Sequence, residues 1–247
     1  MTSTLRLTIR EYADPAPDTA PILLPPDEAH IWHWEPIGLP EAIDGCWELL
    51  ANDERQRAQR FHFVRHRDAF VINRARMRSL LAGYLSQAPE TLVFTYSQHG
   101  KPSLPEAALP ASGSLRFNLS HTEGRAALAV VRAREIGIDV ERIRPQADAR
   151  KIAERFFSAG EREALREFTG EALDRAFFRC WTRKEAYIKA KGEGLSIPLH
   201  QFDVSVAEDE PAMLLGTRPD ASEAGQWFLY DLALDPGCAA ALAIAAG

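Results

Sequence analysis

From Ala126 to Val131 the sequence is continuously apolar. A short run without polar alternation predicts a β-strand buried on both faces. A second strand block follows at Ile136 to Glu141. Other strand signals stand at His30 to Trp34, Thr91 to Tyr96, Leu115 to Leu119, Phe202 to Val206, Trp227 to Leu232 and Ala239 to Ala245. Between Arg65 and Leu85 the residues Phe70, Val71, Met77, Leu80, Leu81, Tyr84 and Leu85 recur at helical spacing, and Asp174 to Lys191 carries a second such pattern. The polar run Asn52 to Arg60 opens with a helix N-cap residue and two acids, and Ser158 with Glu161 fits a capping box. Each half thus offers a few strands and one principal helix. The expected fold class is α+β, built as two similar lobes over residues 29–134 and 135–247. Before them, Pro15, Pro17, Pro21, Pro25 and Pro26 supply no backbone donors, so residues 1–28 are expected to form an extended N-terminal arm, partly disordered at its start.

The chain has 247 residues with formal net charge -6. That charge argues against a general nucleic-acid binder, which needs a basic face to neutralise phosphates, and an anionic ligand must therefore meet a local basic cluster. Cys46, Cys180 and Cys238 stand too far apart for a zinc or redox motif and suit a reducing compartment. Near Met1, Arg6 and Arg10 lead into a polar, proline-rich stretch rather than the apolar core of a signal peptide. No apolar run reaches the roughly 20 residues of a spanning helix. The expectation is a soluble cytoplasmic protein with no nucleic-acid or membrane partner.

In the strand segment GIDVE, Asp139 and Glu141 share one face while Ile138 and Val140 face the core. Two carboxylates held side by side repel each other, and a hard divalent cation such as magnesium relieves this while keeping room for phosphate and water. The same alternation also suits a strand with a polar outer face. In WTRKEAYIK, Trp181, Glu185 and Lys189 fall on one helical stripe, which serves either a site or an ordinary intrahelical ion pair. Gly192 and Gly194 then break the helix. Ser120 and His121 end a strand with two hydrogen-bonding groups, and Lys101 sits on a turn where it can meet a phosphate or water. Arg67, Arg74 and Arg78 can share a helical face with Arg55 and Arg57 just upstream, giving either a solvated basic face or the basic cluster an anion requires.

Taken in order, HGKP (99–102), FNLSH (117–121), GIDVE (137–141), RFFS (155–158) and FRCWTRKEAYIKAKGEGLSIPL (178–199) resemble the Sfp-type 4′-phosphopantetheinyl transferases. The resemblance spans Arg60 to Leu199 and leaves residues 1–28 without a counterpart. It implies a pseudo-two-fold monomer that binds coenzyme A between its lobes and transfers the phosphopantetheine arm to a serine of an apo carrier protein. By motif, Asp139, Glu141 and Glu185 would bind Mg2+ with the diphosphate, and Lys189 would contact the transferred phosphate. Glu185 would accept the serine proton. Lys101, Ser120 and His121 would hold the nucleotide's phosphates, chiefly the 3′-phosphate. Arg55 and Arg57 lie where some members carry lysines, but Glu54 stands at a position that is basic in some relatives. Two other readings use the same residues: a non-catalytic module for coenzyme A or a carrier protein, and a metal-dependent phosphohydrolase.

Overall fold

The computed structural model describes residues 5–12, 21–38, 40–105 and 114–246. The fold is α+β. Its first half contains strands β1 (Arg6–Glu11) and β2 (Glu28–Trp34), helices α1 (Pro40–Leu49), α2 (Asn52–Gln59) and α3 (Val64–Leu85), and the short strands β3 (Thr95–Tyr96) and β4 (Pro102–Ser103). Strands β5 (Leu115–Thr122) and β6 (Arg125–Arg132) follow. The second half contains β7 (Ile136–Arg142), α4 (Ala149–Phe156), α5 (Ala159–Arg166), α6 (Gly170–Lys191), β8 (Phe202–Val204), β9 (Leu214–Thr217), β10 (Trp227–Asp231) and β11 (Cys238–Ala245).

Four strands form a sheet in the order β1-β2-β6-β5, and three form a second in the order β10-β11-β7. On one face of the first sheet, Trp32, Trp34, Leu128 and Val130 pack against Met77, Leu80, Leu81 and Tyr84 of α3. On the other, Ile31, Ala127, Ala129 and Val131 pack against Ile136, Ile138, Val140, Leu242 and Ile244 of the second sheet. The outer face of the second sheet carries Ala241 and Ala243, which meet Ala186, Tyr187 and Ala190 of α6. The layers run helix, sheet, sheet, helix. Strand β6 lies inside this stack with Ala126 to Val131 fully enclosed, which is why its sequence lacks the usual polar alternation.

Several expectations need correction. The described parts of the N-terminal arm, residues 5–12 and 21–28, are packed: β1 pairs in parallel with β2, and Leu5, Tyr12 and Leu24 are buried, while Pro15 and Pro17 lie outside the described residues. Residues 1–4, where disorder is expected, lie outside the described residues. The strand expected over Thr91 to Tyr96 shrinks to β3, because it pairs with a two-residue strand that begins at Pro102, a residue with no N–H to donate. Ala51, not Asn52, caps α2, and its N–H is taken by Glu54 Oε2 at 2.9 Å. Helix α1 escapes the periodicity argument because none of its residues is fully buried. Arg74 and Arg78 do not form a solvated basic face. Both are buried and both donate to Glu54, itself 3% exposed, so Glu54 is an internal counter-ion.

One contact sets the spacing between α6 and β7. A Cβ at Gly137 would stand 2.2 Å from the Ala186 carbonyl oxygen and 2.3 Å from the Ala190 nitrogen, so the helix backbone rests directly on the strand. Backbone atoms cannot rotate away as a side chain can. Overpacking of this kind costs about 3 kcal/mol or more, so Gly137→Ala should lower the melting temperature by roughly 6 °C or more in thermal denaturation. Gly45→Ala, at a helical position with nothing within 4 Å of the added Cβ, should leave it unchanged or slightly raised. An unchanged Gly137→Ala protein would show that the helix can stand off from the strand.

Candidate active site

Alternation along β7 aims Gly137, Asp139 and Glu141 away from the apolar face formed by Ile138 and Val140. With α6 seated on Gly137, the next contact along β7 is between Asp139 and Lys189 of the same helical turn. Lys189 Nζ donates to Asp139 Oδ1 at 2.6 Å and to Ser120 Oγ at 3.0 Å, and Ser120 Oγ donates to the same Oδ1 at 2.9 Å. Asp139 Oδ2 is buried and has no hydrogen-bond partner. Glu141, half-buried, accepts from Thr122 Oγ1 at 3.3 Å.

Burial and the charge of Asp139 raise the proton affinity of Glu141 and Glu185. Burial, then the charge of Asp139, lifts Glu141 above the ordinary carboxylate range. Glu185 is pushed up to about 7, first by burial and then by Asp139 and Glu141, with Lys189 opposing. One ammonium faces three acids, so the site is short of positive charge. Among the described residues no three acid, imidazole or thiol groups are already drawn together tightly enough to hold a metal ion. The donor set nevertheless fits a hard divalent cation: it is all carboxylate oxygen, and one of those oxygens is buried and unpartnered.

His121, exposed at the end of β5, adjoins this cluster. Partial desolvation, then the charges of Lys189 and Arg57, hold its imidazole below the usual pKa, with Asp139 opposing. Arg57 therefore belongs to the same neighbourhood and also lies over the Phe70 ring at 5.3 Å. Arg55 is directed elsewhere, with Nη2 donating to the Glu48 carbonyl at 3.0 Å. Lys101 is also set apart. Its ammonium donates to the carbonyl oxygens of Ile136 at 3.1 Å and Ala190 at 3.2 Å, and the charges that act on it are Glu135 and Arg116, none of them shared with His121.

Within WTRKEAYIK the remaining basic residues are structural. Lys184 is fully buried, with Nζ bonded to Glu161 Oε1 at 2.6 Å and the Phe202 carbonyl at 2.7 Å, while Arg183 Nη2 meets Asp231 Oδ2 at 2.5 Å. Trp181 stacks on Phe177 at 6.0 Å. Gly192 ends α6 at φ +73°, the left-handed conformation that glycine adopts without strain. The residues that spacing does not reveal are Thr122 and Gly137. Each acts on a partner far away in sequence.

An α+β protein with acids and a lysine gathered beside the seam between its sheets suits phosphoryl-type transfer. Residues 32–133 match the family model described as 4′-phosphopantetheinyl transferase, N-terminal, and residues 135–241 match that of the 4′-phosphopantetheinyl transferase superfamily. The chain is 40% identical over 220 residues to 4′-phosphopantetheinyl transferase HetI of Nostoc sp., covering 89% of this chain and 88% of that protein. It is 32% identical to a 4′-phosphopantetheinyl transferase of Bacillus subtilis over 67% of this chain and 70% of the relative. This chain belongs to the 4′-phosphopantetheinyl transferase family. Among solved structures, holo-[acyl-carrier-protein] synthase of Thermotoga maritima aligns at TM-score 0.36 and 21% identity, over 45% of this chain and 62% of that one.

The raised Glu185 pKa makes stability depend on pH. Between the ordinary value of 4.5 and about 7 the folded protein keeps a proton on Glu185 that the unfolded chain has lost, so this residue's contribution falls as pH rises through that window. His121, with its pKa lowered, acts in the opposite sense below 6.5. The difference between wild type and Glu185→Gln isolates the glutamate. Melting curves in chelator from pH 4.5 to 7 should show the variant gaining on wild type as pH rises, and parallel curves would contradict the assignment.

Proposed function

We propose that this chain transfers the 4′-phosphopantetheine arm of coenzyme A to a serine of an apo carrier protein, acting as a cytoplasmic monomer of two lobes, 29–134 and 135–247. The observation that carries the reading is Asp139. One oxygen is fixed by Lys189 and Ser120, the other is buried and unpartnered, and Glu141 and Glu185 stand close enough to be perturbed by its charge.

In the reaction the carrier serine oxygen bonds to the β-phosphorus of coenzyme A, and the bond to 3′,5′-adenosine bisphosphate breaks. Asp139, Glu141 and Glu185 would hold Mg2+, which supplies charge neutralisation for the diphosphate. Lys189 lies where its ammonium can turn from Asp139 to a phosphate oxygen whose charge grows in the transition state. Glu185, raised to about 7 while no cation is bound, would accept the serine proton. His121 and Arg57 hold phosphates of the nucleotide, and Ser120, whose hydroxyl proton goes to Asp139, would have to exchange that bond to donate to one. The ammonium of Lys101 is engaged by two backbone carbonyls, so its contact with a phosphate requires those bonds to be exchanged. Arg55, exposed and turned to Glu48, is the weakest of the phosphate contacts the sequence suggests.

Intact-mass analysis of several apo carrier proteins, incubated with this protein, coenzyme A and magnesium, tests the proposal. One carrier or more should gain a single phosphopantetheine, with no gain when coenzyme A is omitted or excess chelator is present. No gain on any carrier would contradict the transfer, and full activity in chelator would contradict the metal assignment. Loss of coenzyme A without any acceptor would favour a phosphohydrolase.

A further inference from the structure

Strands β5 and β7 run side by side in the same direction, yet they belong to different sheets. Their seam is joined by side chains of β5 bonded to the backbone of β7. Asn118 Oδ1 accepts the N–H of Ile138 at 2.8 Å, Ser120 Oγ that of Val140 at 3.3 Å, and Thr122 Oγ1 that of Arg142 at 3.3 Å. The two hydroxyls do a second thing in the same register. Ser120 donates to Asp139, and Thr122 donates to Glu141. A hydroxyl has one proton and two lone pairs, so an amide bound to one lone pair restricts where the proton can point. In both cases it points at the carboxylate that precedes the bound amide. Ser120 is saturated, since Lys189 takes its remaining lone pair. For Thr122 the carboxylate is the one side-chain partner among the described residues.

We propose that Thr122 is a positioning residue that orients the Glu141 carboxylate for cation binding, as the Ser120 hydroxyl orients Asp139. The inference rests on the reading of Asp139, Glu141 and Glu185 as the cation's ligands. Thr122 touches neither the cation nor the substrate. Its hydroxyl sets the direction of a ligand from behind and ties that direction to the seam between the two sheets.

Titration of the metal-free protein with Mn2+, with free ion followed by electron paramagnetic resonance, tests this without reference to turnover. Loss of a hydrogen bond behind a metal ligand typically weakens metal binding 10- to 100-fold, and for this partly exposed pair about tenfold is expected in Thr122→Val. Thr122→Ala, smaller and also without the hydroxyl, should lose the same factor, which covers the case in which the valine variant does not fold. Thr122→Ser should bind as wild type does. Wild-type affinity in Thr122→Val or Thr122→Ala overturns the proposal, as does equal weakening in all three variants, because Thr122→Ser keeps the hydroxyl. If wild type itself binds no Mn2+, the reading of the carboxylates falls and the proposal falls with it, a result distinct from binding by wild type that Thr122 does not affect.

Discussion

The arrangement depends on a missing side chain. Gly137 lets the backbone of α6 lie on β7, and no other residue type fits between Ala186, Ala190 and the strand. The two elements then share a fixed register, in which Asp139 lies two residues along the strand and Lys189 one residue before the helical contact. Their ion pair at 2.6 Å follows from that register. Lys101 pins the same junction from the first half of the chain, bonding the carbonyls of Ile136 and Ala190 that flank the contact on strand and helix. A cation near the end of α6 also complements the negative end of the helix dipole.

Elsewhere among the described residues several buried charges meet an opposite partner, and the site differs in this. Glu54 takes Arg74 and Arg78, Glu161 takes Lys184, and Asp231 takes Arg183. The three acids beside Lys189 have no such balance. Their mutual repulsion and burial raise Glu141 and carry Glu185 to about 7. A chain with net charge -6 thus concentrates unmet negative charge at one place and sets Arg57, His121 and Lys189 beside it. Under the proposed function such a place would take a divalent cation together with a diphosphate rather than a bare anion.

Much of this was legible in the sequence where the signal is local. The apolar run of β6, the two long helices, the Ser158 capping box and the glycine stop at 192 each depend on neighbours within a few residues, and each stands close to where periodicity and cap chemistry put it. Strand alternation puts Asp139 and Glu141 on one face of β7, helical spacing puts Glu185 and Lys189 on one stripe of α6, and the Asp139–Lys189 ion pair joins the two. What escaped depends on contacts remote in sequence. Arginine on a helix looks alike whether it faces water or a buried Glu54, and β1 was hidden by the prolines that follow it. Thr122 reads as a strand end until β7 is laid beside it. Lys101 and His121, paired by motif, have different charged neighbours because they sit on different elements.

The central claim is that Asp139, Glu141 and Glu185 form one cation site facing the diphosphate of coenzyme A. Anomalous scattering from a crystal grown with Mn2+ and coenzyme A measures this directly. A single strong manganese peak among these three carboxylates, in contact with the diphosphate, is expected. Bound coenzyme A with no peak there, or with manganese held by other residues, would contradict it.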